Sequence, residues 1–129
     1  MVEGRFGSIG LHALTDPVAV LAIAHGAISL QMIRREVTRV AEFADDHPHG
    51  WCYLGDVRRV RLLNPANLVA LRRIGRLPGV RRRVIVVPPF ARWLEPIAIG
   101  DLTASVEDAL DRARATRPCR GGSPRTTSS

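Results

Sequence analysis

The sequence predicts an α/β fold, a small mixed and mainly parallel β-sheet with helices packed on it. Short apolar runs, two of them rich in β-branched residues, alternate along the chain with segments of helical spacing, a pattern that calls for parallel strands joined by crossovers. The length of 129 residues, with 46% hydrophobic and 24% charged residues, suits one ordinary core and argues against two cores or a wholly disordered chain.

Residues 7 to 14 are expected to form an additional strand at the sheet edge. The runs at 18 to 24 (VAVLAIA), 51 to 54 (WCYL) and 83 to 87 (RVIVV) show little alternation, as strands covered on both faces do. Between the first two, Ile33, Val37, Val40 and Ala41 recur at three- and four-residue steps, with Arg34, Arg35 and Arg39 turned elsewhere. This predicts an amphipathic helix over 29 to 43, capped by Ser29.

Asn64-Pro65 supplies a capping side chain followed by proline at a first helical position, and Leu68, Leu71 and Ile74 make an apolar stripe up to Leu77-Pro78-Gly79. A second helix follows from that. A third is expected from Ser105-Val106-Glu107-Asp108, close to a capping box, with Ala109, Leu110 and Ala113 on its buried side. A shorter helical turn is predicted over 91 to 94. From 116 the chain reads TRPCRGGSPRTTSS, with nothing spaced to bury. The folded domain is therefore expected over 1–115 and a disordered tail over 116–129.

The net charge is +7, all of the positive charge being arginine. It is uneven: residues 56 to 83 hold nine arginines against Asp56. The expectation is a solvated face that binds nucleic acid weakly and non-specifically at most. Cys52 lies in an apolar run and Cys119 in the tail, which makes no disulfide framework and fits a reducing cytoplasm. The longest apolar stretch, 17 to 30, contains His25 and Gly26 and falls short of the ~20 residues that span a bilayer. The start, Met1-Val2-Glu3-Gly4-Arg5, has no signal-peptide pattern, so a soluble cytoplasmic protein is expected.

No catalytic, cofactor or metal site is assigned. Asp45-Asp46-His47-Pro48-His49 is the most metal-like cluster, and it reads as a solvated loop after a helix. HExxH, paired CxxC and GxSxG are absent, and Gly121-Gly122-Ser123 has no strand before it to build a phosphate loop. Cys52 reads as a packing residue. Trp51, Tyr53, Phe90 and Trp93 are too few, and too apolar in context, for a base-stacking platform.

The informative stretch is DVRRVRLLNPANLVAL, from Asp56 to Leu71, in which a strand ending in an acidic residue is followed by a loop and a helix start. It resembles the STAS domain, the family of sulphate transporter and anti-sigma factor antagonist domains, whose pattern is a strand ending in Asp-Leu, an apolar pair, then Asp-Ser-Ser/Thr-Gly opening a helix. Placed on it without a gap, Asp56-Val57 takes the strand end, and Val60, Leu62 and Leu63 take the apolar positions. Asn64-Pro65-Ala66-Asn67 stands where Asp-Ser-Ser-Gly would, and Leu68 and Leu71 match the helix. The run 21 to 28 (LAIAHGAI) is similar to the family's second strand and glycine turn. Residues 94 to 102 and then Ser105 to Leu110 resemble its C-terminal half. The resemblance spans roughly residues 7 to 115.

The resemblance implies a non-enzymatic module that binds a protein, an anti-sigma factor or a kinase-like domain, through Asp56, Arg58, Arg59, Asn64, Pro65, Ala66 and Asn67. In anti-sigma factor antagonists a kinase phosphorylates the first serine of the motif and so releases the partner. The matching residue is Pro65, followed by Ala66, so the switch is missing from its usual place. Pro96 falls within the family's third helix, where it would remove a backbone bond. Two alternatives stand beside this reading. One is a STAS-like accessory subunit of a membrane transporter. The other is a small basic nucleic-acid-binding protein using Arg58, Arg59, Arg61, Arg72, Arg73, Arg76 and Arg81 to Arg83. Oligomeric state is left open.

Overall fold

The computed structural model describes residues 2–3, 7–63, 68–88 and 100–115. Strands β1 (Val2–Glu3), β2 (Gly7–Thr15), β3 (Val18–Ile28), β4 (Trp51–Leu63), β5 (Val80–Val86) and β6 (Asp101–Thr103) lie side by side in that order in one sheet. The first three are antiparallel neighbours, and from β3 onward the neighbours are parallel. The expected α/β class is therefore the observed one. Helix α1 (Leu30–Asp45) connects β3 to β4. Helix α2 (Leu68–Leu71), continued by a 3₁₀ segment (Arg72–Arg76), lies between β4 and β5, and α3 (Val106–Ala115) follows β6.

Strand alternation divides the interior into two apolar clusters. Val20 and Ala22 of β3, with Trp51 and Tyr53 of β4, face Met32, Ile33, Val40 and Ala44 of α1 and Leu71 and Ile74 beyond it. Ala19, Cys52, Leu54, Val84 and Val86 face the other way, onto Ala109 and Ala113 of α3. Because both sheet faces are covered, the central strands carry apolar residues at consecutive positions, which is why they read as unbroken apolar runs. Cys52 is fully buried, as its place in such a run predicts.

The predicted first helix is present almost as drawn. Ser29 caps it, its Oγ accepting the Met32 N–H at 3.2 Å. At the far end His47 donates from Nδ1 to the Phe43 carbonyl (2.8 Å) and stacks on the Phe43 ring at 4.0 Å. One residue of the cluster singled out for metal chemistry thus closes a helix terminus. Ser105 caps α3 by accepting the Asp108 N–H at 3.1 Å. The Asp108 carboxylate does not return to Ser105 as a full capping box would; it accepts from the Thr103 hydroxyl at 2.5 Å and pairs with Arg112 at 2.8 Å.

Three expectations are corrected. The strand expected over 7 to 14 is present as β2, but its start is not at the edge, because β1 pairs outside it with Val2 opposite Ile9 and Glu3 opposite Ser8. The strand does not end at Asp56: β4 runs on to Leu63, with β3 as its partner. Among the described residues the second helix is one α-turn that tightens at Arg72 into 3₁₀ geometry, which still buries Leu71 and Ile74. After that segment Gly79 adopts φ 83°, open to glycine without strain, and its carbonyl accepts the Trp51 N–H at 3.0 Å. The Trp51 indole donates to the Pro78 carbonyl at 2.8 Å. The expected helical turn at 91 to 94, Pro96 and the expected tail from 116 lie outside the described residues.

Candidate functional site

The two ends of β4 have different partners. From Cys52 to Asp56 it is paired on both sides, Asp56 lying opposite Ile23 of β3 and Val86 of β5. Beyond Asp56 only the β3 pairing continues, and its register slips: Ile23 faces Asp56 but His25 faces Arg59, so Val57 and Arg58 together oppose one residue of β3. This extra residue is a β-bulge, which re-aims side chains and takes one N–H out of the ladder. A second slip, between Gly26/Val60 and Ala27/Leu62, adds Arg61 in the same way.

Asp56 compensates the first bulge. Its Oδ1 accepts the Arg58 backbone N–H at 3.0 Å. The Arg58 guanidinium then grips both carboxylate oxygens, Nε to Oδ1 at 3.0 Å and Nη2 to Oδ2 at 2.8 Å. Burial alone would raise the Asp56 carboxyl, but the bonds from Arg58, with the charges of Arg58 and Arg59, outweigh it and hold the group below its ordinary value. Alternation from Cys52 and Leu54 puts Asp56 on the α3 side of the sheet, and Glu107 at the start of α3 acts on Arg58. The result is a buried carboxylate held by a half-exposed arginine, with Arg59 and Arg61 exposed beside it. Such a fixture presents a guanidinium in a fixed direction.

Of the predicted site residues, the structure brings Asp56, Arg58 and Arg59 together. Asn64, Pro65, Ala66 and Asn67 lie outside the described residues. The arginine-rich block is divided among β4, the 3₁₀ segment and β5. Arg58 pairs with Asp56, Arg82 with Asp101 at 2.8 Å, Arg81 donates to the His49 carbonyl, and Arg72, Arg73 and Arg76 belong to the 3₁₀ segment. Among the described residues no three His, Cys, Asp or Glu side chains converge as metal ligands, and no helix is long and apolar enough to cross a membrane.

A polar pair that the sequence reading passed over lies on the opposite face. Glu36 of α1 is buried at 3% exposure, and its Oε2 accepts the hydroxyl of the buried Tyr53. Gly55 leaves room for that ring: a Cβ there would stand 3.2 Å from Tyr53 Cε2 and 3.3 Å from its hydroxyl. The signal was in the spacing, since Glu36 sits three residues after Ile33 and four before Val40, on the apolar side of the helix.

No family model matches the chain, and no curated protein matches it in sequence. Among solved structures, the anti-sigma factor antagonist SpoIIAA in its unphosphorylated form superposes with a TM-score of 0.61 at 16% identity, covering 83% of this chain and 98% of that one. An uncharacterised protein of the DUF3478 family with a SpoIIAA-like fold, from Shewanella loihica PV-4, superposes with a TM-score of 0.57 at 18% identity. That match covers 88% of this chain and 98% of the other. The fold is thus SpoIIAA-like, the STAS fold.

Proposed function

We propose that this STAS-like chain is a non-enzymatic protein-binding module, an anti-sigma factor antagonist-like regulator. Its partner is an anti-sigma factor or kinase-like domain, docked through Asp56, Arg58, Arg59 and the segment Asn64, Pro65, Ala66 and Asn67. The likeness to SpoIIAA over nearly all of that chain is the observation that carries the reading. It is supported by the Asp56–Arg58 fixture, which stands on the strand leading to that segment. SpoIIAA was described in an unphosphorylated form; with no hydroxyl at 64 to 67, this chain has nothing there to phosphorylate and stays competent to bind.

The test is capture of the partner from the source cell's lysate, followed by affinity measurement with Ala66→Glu. A carboxylate in the segment opening the helix leaves folding intact, because negative charge is favourable near a helix start. The partner must then desolvate or face that charge. Unchanged thermal unfolding with at least tenfold weaker binding, about 1.4 kcal/mol, supports the site. Equal affinity for parent and variant places the interface elsewhere.

A further inference from the structure

We propose that the groove between α1 and the α2–3₁₀ segment docks an acidic amphipathic helix of a partner protein. This deepens the reading of the chain as a protein-binding module and rests on it. It uses a surface separate from the Asp56–Arg58 fixture, which lies on the α3 side of the sheet.

The groove encloses about 450 Å³. Arg34 of α1 and Arg72, Arg73 and Arg76 of the 3₁₀ segment line it, and among the described residues no acidic side chain does. None of these four cations makes an ion pair among the described residues, whereas Arg58, Arg82, Arg112 and Arg114 all do. Between the charges lie Leu30, Val37, Val69 and Ala70. Leu30 at 36% and Val69 at 59% are the exposed large hydrophobic residues of the described surface, and both belong to this groove. Leu30, Arg34 and Val37 follow one another at four- and three-residue steps, one continuous face of α1 turned to the groove.

Charge and apolar surface in one concavity between two helical elements determine the occupant. A helix laid in a groove buries residues at i, i+3, i+4 and i+7 and keeps its other face at the rim. Here the apolar row would meet Leu30 and Val69, and flanking carboxylates would meet the four guanidiniums, which bind carboxylates in paired geometry. Nucleic acid would use the arginines but not the apolar residues between them. A planar lipid surface would meet only the rim of a concave site.

The experiment titrates the isotopically labelled full chain with a synthetic helical peptide carrying leucines at i, i+3, i+4 and i+7 and glutamates elsewhere. Amide shifts are expected at Leu30, Arg34, Val69, Arg73 and Arg76. The Arg73→Glu/Arg76→Glu double variant, both positions being exposed, should weaken binding at least tenfold, and Val69→Glu is a second, independent disruption. Ala66→Glu is assayed with the captured partner and the groove variants with the peptide, so failure of the proposed 64–67 interface and failure of the groove are read separately. The inference is overturned by shifts confined to other elements, by equal binding of the same peptide with lysines for glutamates, or by unchanged affinity in both groove variants. It is also overturned if anionic vesicles, a DNA duplex or a second copy of the chain perturbs these residues while the peptide does not.

Discussion

Tyr53 donates its hydroxyl hydrogen to Oε2 of Glu36, joining the middle of the sheet to the middle of α1 through a polar contact inside an apolar cluster. Burial pushes the Glu36 carboxyl from 4.5 up to about 7, against the lowering effect of the Tyr53 hydrogen bond. Tyr53 is in turn raised well above its ordinary value, by burial first and then by the carboxylate beside it. Two groups whose neutral forms are favoured by burial thus satisfy each other's hydrogen-bonding capacity, and the consequences are measurable.

Stability should fall as pH rises through the neutral range. Between 4.5 and about 7 the unfolded chain loses the Glu36 proton while the folded chain keeps it, so the folded state binds more protons and alkali favours unfolding. The contribution is complete below 4.5 and gone above about 7, and amounts to about 3 kcal/mol at most. Glu36→Gln keeps an acceptor for Tyr53 and cannot ionise. Urea unfolding at pH 5 and pH 8 should show a drop for the parent and a flat response for this variant; equal drops in both would assign the effect to another group.

Tyr53→Phe removes the donor and leaves the buried carboxyl without this partner. A loss of about 1 to 3 kcal/mol is expected, larger at pH 8, where the carboxyl is charged, than at pH 5. In the Glu36→Gln background the pH dependence of that loss should disappear. Its persistence there would show that Tyr53 acts through packing alone.

Asp56 should stabilise the bulge more by its geometry than by its charge. Asp56→Ala frees the Arg58 N–H and both guanidinium bonds and should cost about 1 to 3 kcal/mol. Asp56→Asn retains one acceptor and should cost less. The depressed carboxyl gives the opposite pH sign to Glu36, its contribution being present at neutral pH and lost as acid protonates it. Equal destabilisation by both substitutions would mean that the charge dominates.

Gly79→Ala should destabilise by about 1 kcal/mol or somewhat more. The cause is double: the residue holds φ 83°, and a Cβ would stand 3.3 Å from the His47 carbonyl oxygen and from the Trp51 ring. Thermal unfolding followed by tryptophan fluorescence checks it. An unchanged midpoint would mean that the turn relaxes to negative φ without disturbing Trp51.

Incubation with ATP and the source organism's kinases should leave partner binding intact. The family's serine position is Pro65. Two hydroxyls elsewhere are already engaged: Ser29 caps α1, and the buried Thr103 is bound to Asp108. Stoichiometric phosphate on either one, with release of the partner, would show a relocated switch.

The elements most legible in the sequence were those whose signals are local. Ser29 and Ser105 announce helix starts because a side-chain oxygen three residues before an amide needs only local geometry to cap it. The runs around Val20, Cys52 and Val84 announce strands covered on both faces because consecutive apolar residues leave neither side to water. Those signals, in that order, carried the α/β class and the STAS resemblance.

Contacts between elements distant in sequence were decided by the tertiary structure. That β4 continues beyond Asp56 depends on β3 supplying a pairing edge, and the bulge at Val57–Arg58 exists only relative to that partner's register. The second helix tightens at Arg72 while still delivering Ile74 to a core that the sheet and α1 have already shaped. Glu36 and Tyr53 are seventeen residues apart, and nothing local marks them as a pair. The arginines of the groove, dispersed between Arg34 and Arg76, converge because α1 and the 3₁₀ segment cover the same face of the sheet. Local pattern therefore determined which segments became helix or strand, whereas register and burial, which depend on long-range packing, determined which side chains meet.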